Sequence, residues 1–162
     1  MKKGTKRILA INPGSRYLGL ALFNGSELKE WMVKTLQYKS LRERLCATEE
    51  ILYDLIEHED IDMLVIKKLH PSRSSPNLQK LTDRIKKVAE IKNLAILEYP
   101  LSTIKQFFFP SVKSNKKALI EEMTLQYSFL HRVKEKEKKN RNKYFVRMFE
   151  AVALGTLFIS QL

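Results

Sequence analysis

Stretches of apolar residues divided by short polar breaks lay out a run of strands followed by helices. Arg7–Asn12, Tyr17–Phe23 and Glu27–Thr35 read as three strands. The first, Ile8-Leu9-Ala10-Ile11, closes on the polar Asn12, and a Pro13-Gly14 turn leads into Leu18-Gly19-Leu20-Ala21. Asn24-Gly25 predicts the next hairpin turn, with both positions at positive φ. Ser40, with Glu43 three residues on, predicts a capped helix start. Leu41, Leu45, Thr48, Leu52, Leu55 and Ile56 form its apolar stripe, which ends near Glu59. The unbroken Met63-Leu64-Val65-Ile66 predicts a strand covered on both faces.

A polar loop spans Lys68 to Pro76, and Asn77 is the expected cap of a helix carrying Leu78, Leu81, Ile85, Val88 and Ala89. Leu94–Leu97 reads as another buried strand. A short helix is expected after Pro100 and a second from about Ser114 to Leu130. The charged stretch Arg132–Lys143 has no apolar face and predicts an exposed loop or frayed helix end. Tyr144–Gln161 is largely apolar and predicts a last helix packed on the sheet.

Composition narrows the class. With 162 residues, 44% of them hydrophobic, the chain can bury a real core, and no internal boundary divides it. Its apolar stretch Ala151–Ile159 is too short for a membrane span and contains Gly155 and Thr156. The basic start, Met1 to Arg7, runs into a strand rather than a signal-peptide core. A single cysteine, Cys46, excludes an internal disulfide and suits a reducing cytoplasm; its place in a helix predicts a small buried or half-buried hydrophobe. The net charge of +12 points to nucleic acid, the alternative being a lysine-rich surface that serves solubility.

The opening hairpin Ile8–Ala21 resembles that of RuvC-type Holliday junction resolvases, members of the RNase H-like superfamily. Glu98-Tyr99, Ile104-Lys105-Gln106 and Ser114-Asn115-Lys116-Lys117 resemble later parts of the same pattern, in order and spacing. YqgF/RuvX-like proteins share the opening hairpin but fit these later segments less well. The resemblance implies an α/β, RNase H-like fold over residues 1–162, with a mixed five-stranded sheet flanked by helices.

It also implies a catalytic site in which four carboxylates hold two magnesium ions against a phosphodiester. In this sequence the corresponding positions are Asn12, Lys67, Arg147 and Glu150, so one carboxylate remains among two cations and an amide. An ammonium about 4 Å from Mg²⁺ costs roughly 8 kcal/mol at an effective dielectric near 20, before solvent and side-chain motion discount it. Glu98 and Asp62 are the wrong acids to substitute, the first on a neighbouring strand end and the second at the opposite end of its strand. The expectation is therefore no bound metal, no cofactor and no catalytic residue. A carboxylate on an apolar helix needs a partner, and for Glu150 the candidates are Lys67 and Arg147.

The basic residues carry the rest. Arg16 and Lys67-Lys68 border the same face, and Lys105 with Lys116 or Lys117 match lysines that the resemblance directs at junction phosphates. His70 stands where resembling resolvases stack an aromatic, and Arg73 shares its loop. Arg132–Lys143 can follow a phosphate backbone or serve as a solvated linker. Phe107-Phe108-Phe109 is expected in the core rather than on bases. The function these residues imply is binding of branched or duplex DNA without cutting it. The alternatives are an active junction nuclease with rearranged acids and a protein-binding scaffold. A homodimer through the helix after the fourth strand is disfavoured, since its outer face carries Lys80, Asp83, Arg84 and Lys87.

Overall fold

The computed structural model describes residues 5–72, 74–139 and 144–162. Strands β1 (Arg7–Asn12), β2 (Tyr17–Asn24) and β3 (Glu27–Thr35) are followed by helix α1 (Leu41–His58), β4 (Met63–Lys68), α2 (Pro76–Ile91) and β5 (Ala95–Pro100). Four helices complete the described chain: α3 (Leu101–Phe108), α4 (Lys116–Gln126), α5 (His131–Lys139) and α6 (Val146–Ser160), with a 3-10 turn at Ser128–Leu130. The five strands form one mixed sheet in the order β3-β2-β1-β4-β5. The hairpins make β1, β2 and β3 antiparallel, and the crossovers through α1 and α2 bring β4 and β5 in parallel to β1. This is the α/β architecture expected.

Alternation along β1 and β4 sorts side chains onto two covered faces. Leu9, Ile11, Leu64 and Ile66 join Leu52, Ile85 and Val88 beneath α1 and α2. Ile8, Ala10, Met63 and Val65 join Phe149, Val152 and Leu154 beneath α6, with α3 and α4 outside it. Asn12 and Lys67 continue this second set by parity, so both side chains rise on the α6 face at the carboxyl ends of their strands.

Gly19 sets the height of α6. It pairs directly with Asn12, and a Cβ built there would lie 2.1 Å from the carbonyl oxygen of Arg147. Only glycine lets the first turn of α6 descend onto the sheet beside Asn12.

Several local expectations are corrected. The second hairpin turns at Gly25-Ser26, one residue later than predicted, and only Gly25 has positive φ, at 61°. Ser75 rather than Asn77 caps α2, its hydroxyl accepting from the Leu78 N–H at 3.1 Å, which puts Pro76 at the helix start where its missing N–H costs nothing. The helix predicted over Ser114–Leu130 ends at Gln126 and tightens into the 3-10 turn. Cys46 is exposed, because the buried stripe of α1 runs through Thr48, Leu52 and Ile56 instead. The charged stretch after Arg132 continues α5 as far as Lys139; the part over 140–143 lies outside the described residues. The capping box at Ser40 is as expected, with Ser40 Oγ accepting from the Glu43 N–H at 3.2 Å.

Candidate nucleic-acid interface

The four positions 12, 67, 147 and 150 converge. Lys67 leaves the end of β4 next to Asn12, since Ile66 pairs with Ile11. Position 150 lies one helical turn beyond 147 on the face of α6 turned to the sheet. Lys67 Nζ is 2.7 Å from Glu150 Oε2, with the two side chains 18% and 4% exposed. Asn12 Nδ2 donates to the same Glu150 oxygen at 3.0 Å and to the Arg147 carbonyl oxygen at 3.2 Å. Asn12 Oδ1 is buried without a hydrogen-bond partner. The Glu150 carboxylate thus takes an ammonium and an amide N–H on one oxygen.

Of the two partners expected for Glu150, Lys67 is the one found. The Arg147 guanidinium turns away toward the Pro13-Gly14 turn, and among the described residues it forms no ion pair. The other acids considered are placed elsewhere: Glu98 Oε1 lies 2.7 Å from Lys86 Nζ, and Asp62, at the far end of β4, accepts from the Arg7 N–H at 2.8 Å. Among the described residues no three His, Cys, Asp or Glu side chains gather where they could hold a metal ion.

Above the ion pair lies a groove lined by Lys67, Lys68, His70, Ser74, Ser102 and Arg147, with Pro13, Leu78 and Leu101 as apolar walls. The His70 turn is held by its own loop: Ser72 N–H donates to His70 Nδ1 at 3.2 Å and Ser74 Oγ to the His70 carbonyl at 2.7 Å. Arg73 lies outside the described residues. Arg147 also lines a second groove, with Ser15, Arg16, Tyr17, Gln37 and Lys116. Lys116 and Lys117 share a third with Lys134 and Lys138, where Glu121 and Glu137 add negative charge. Lys105 sits one turn along α3 from Leu101 and Ser102.

The structure therefore brings Lys68, His70 and Arg147 to one groove and Arg16, Lys116 and Arg147 to another, and places Lys117 beside Lys116 in a third. Phe108 and Phe109 pack against the core as expected, whereas Phe107 is 43% exposed. Sequence reasoning missed Lys39 and Arg44, which flank Arg16 in a further groove. Their proximity comes from strand pairing: Thr35 pairs with Tyr17, so the chain leaving β3 passes beside Arg16, and the Leu36 N–H donates to the Arg16 carbonyl at 2.6 Å, a register that the turn predicted at Asn24-Gly25 does not give.

The sequence matches no family model and no curated protein. Solved structures match along nearly the whole chain. A Thermus thermophilus RuvC in complex with a Holliday junction substrate matches with a TM-score of 0.68 at 15% identity, covering 96% of this chain and 95% of that one. The yeast mitochondrial Holliday junction resolvase Ydc2 matches at 0.71 and 10% identity, over 98% of this chain and 80% of that one. This chain has the RuvC-type fold. The fowlpox virus resolvase, solved with its Holliday junction DNA, matches that fold too, at 0.60 and 15% identity over 96% and 97% of the two chains. In this RuvC-like chain the strand ends and the last helix meet at Asn12, Lys67 and Glu150, with a lysine ammonium seated on the carboxylate.

Proposed function

We propose that this RuvC-like protein binds branched or duplex DNA and does not cut it. One observation carries the reading: the Lys67 ammonium seated on Glu150 at the floor of a groove whose rim is cationic. Two magnesium ions need a cage of anionic oxygens. Asn12 presents an N–H to Glu150, Lys67 fills one carboxylate oxygen, and Arg147 adds a cation at the rim. These residues do not fit a metal pair, and the acids that would have to replace them, Glu98 and Asp62, are held by Lys86 and by the backbone of Arg7.

Binding needs none of that cage. Lysines and arginines that neutralise phosphates release condensed counterions, a gain that is independent of sequence and falls with salt. The +12 net charge, and the cations at positions 16, 68, 105, 116 and 117, support it. The fold's resemblance to proteins solved on Holliday junctions favours a branched substrate over a plain duplex. Among the described residues no helix is long and apolar enough to cross a membrane, and a single cysteine suits a reducing compartment.

The test is an incubation of purified protein with a four-way junction in Mg²⁺ or Mn²⁺, alongside binding across a salt series. The junction is expected to stay intact. With about five phosphate contacts, log K should fall against log salt with a slope near −4 to −5. Cleavage that vanishes in Glu150→Gln would refute the reading in favour of an active nuclease. Absence of binding at low salt would favour a protein-binding scaffold.

A further inference from the structure

The second groove is lined by cations without an acidic partner. Arg7, Lys86, Arg84 and Lys92 each lie within 3.1 Å of a glutamate. Arg16, Lys116 and Arg147 have no such partner among the described residues. They converge on one groove with Ser15, Tyr17 and Gln37, and no carboxylate lines it.

Arg147 is held there by the same constraints that exclude it from the ion pair. Its guanidinium packs on the opening turn: a Cβ built on Gly14 would lie 3.2 Å from Arg147 Cζ, as well as 2.5 Å from the Tyr17 carbonyl oxygen. Glu150, the acid it could have met one turn along α6, is already taken by Lys67 and Asn12. The far wall is fixed as well. Tyr17 packs edge-on against Tyr144 at 5.1 Å, and the Tyr144 hydroxyl donates to the Val33 carbonyl at 3.0 Å. A planar guanidinium packed on a turn, with two further cations lining the same groove, suits a phosphate group, which it can bind with two parallel N–H donors.

The groove continues. Arg16 lines the next depression too, with Gln37, Lys39 and Arg44 and again without a carboxylate. There Arg44 Nε donates to the Tyr38 carbonyl at 3.1 Å, which orients its guanidinium. Cations spread over two adjoining grooves match a chain of phosphates better than a single small anion.

We infer that Arg147, Arg16 and Lys116 form a phosphate pocket beside the ion pair, and that a nucleic-acid strand seated there runs on past Arg16 to Lys39 and Arg44. Arg147 is then a ligand for the backbone, although it stands at a position the fold's resemblance gives to a metal-binding acid. This rests on the DNA-binding reading for its ligand, and on the groove alone for its existence.

The experiment compares wild-type protein with Arg147→Gln, Arg147→Lys, Arg16→Gln and the pair Lys39→Gln/Arg44→Gln, each verified by circular dichroism to be folded. Binding to a four-way junction is followed by fluorescence anisotropy across a salt series. Arg147→Gln and Arg16→Gln should each weaken low-salt binding about tenfold and make the salt slope shallower by about one, whatever the base sequence. Arg147→Lys should keep the slope and lose part of the affinity. The Lys39/Arg44 pair should make the slope shallower by about two. Arg16 is exposed, so its variant tests the pocket even if Arg147→Gln fails to fold.

A second arm titrates inorganic phosphate while following the Arg147 and Arg16 Nε–H resonances by NMR. If wild-type protein binds DNA and both Arg147→Gln and Arg16→Gln match it, the pocket is overturned and the DNA reading stands. If phosphate shifts these resonances but no DNA binds, the pocket stands as a site for small phosphates and the DNA reading falls. If neither ligand registers, both fall.

Discussion

Glu150 is a carboxylate 3% exposed on a helix otherwise buried against the sheet, and its stability depends on what meets it. Lys67 and Asn12 supply two donors to one oxygen, at 2.7 and 3.0 Å. Buried pairs of this kind contribute little over an apolar replacement, yet losing one partner strands the other charge. Lys67→Met should therefore destabilise the protein by about 3–5 kcal/mol, read from urea denaturation midpoints. Lys67→Met/Glu150→Met should recover most of that loss, giving a large coupling in the double-mutant cycle. A single substitution costing under about 1 kcal/mol would show that the pair is solvated and energetically idle. That a partner was needed was legible in the sequence, since a lone acid in the apolar run Val146–Ile159 cannot stay unpaired. Which cation would serve was not. It depends on β4 standing beside β1 in register, and on Gly14 leaving room for the Arg147 guanidinium to pack elsewhere.

Helix α6 reaches the sheet through a contact that a single methyl would block. Gly19→Ala places Cβ 2.1 Å from the Arg147 carbonyl oxygen, a backbone atom that cannot step aside. The first turn of α6 would have to lift from β2, loosening the Asn12 bonds to Arg147 and Glu150. We expect a loss of about 3 kcal/mol, lowering Tm by roughly 10 °C in thermal unfolding. An unchanged Tm would mean that α6 docks with more slack than this contact allows. The strands and α1 were readable from apolar runs and one capping box, because those signals are local. Helix α5 was not, since His131–Lys139 has no apolar stripe to betray it. Its hold is tertiary: Glu137 is buried and accepts from the Phe145 N–H at 2.7 Å, tying α5 to the start of α6. One of two glutamates among lysines carried that information, and nothing in the local pattern distinguished Glu137 from the exposed Glu135. The grooves were only half legible for the same reason. Arg16 and Lys116 were visible as basic residues, but Lys39 and Arg44 became their neighbours only through the β2–β3 register.

The sign of the surface charge is sorted across the fold. Between α1 and α2, Lys80, Arg84 and Lys87 share a groove with Glu49 and Asp83, so charge there is largely balanced. Around the strand ends the grooves that meet at Arg147 and Arg16 hold cations without acids. This division gives the strand-end side an electrostatic pull that the α1–α2 side lacks. The ion pair beneath that surface has a consequence for how the protein meets its surroundings. A site built from several acids repels itself until ions from solution arrive, so its integrity follows the supply of those ions. Here the neutralising charge is tethered to the backbone, always present at high local concentration and impossible to dialyse away. Thermal unfolding should give the same Tm in excess chelator as in millimolar magnesium, and a shift of several degrees would contradict it. In this chain the cation that neutralises Glu150 comes with the fold itself.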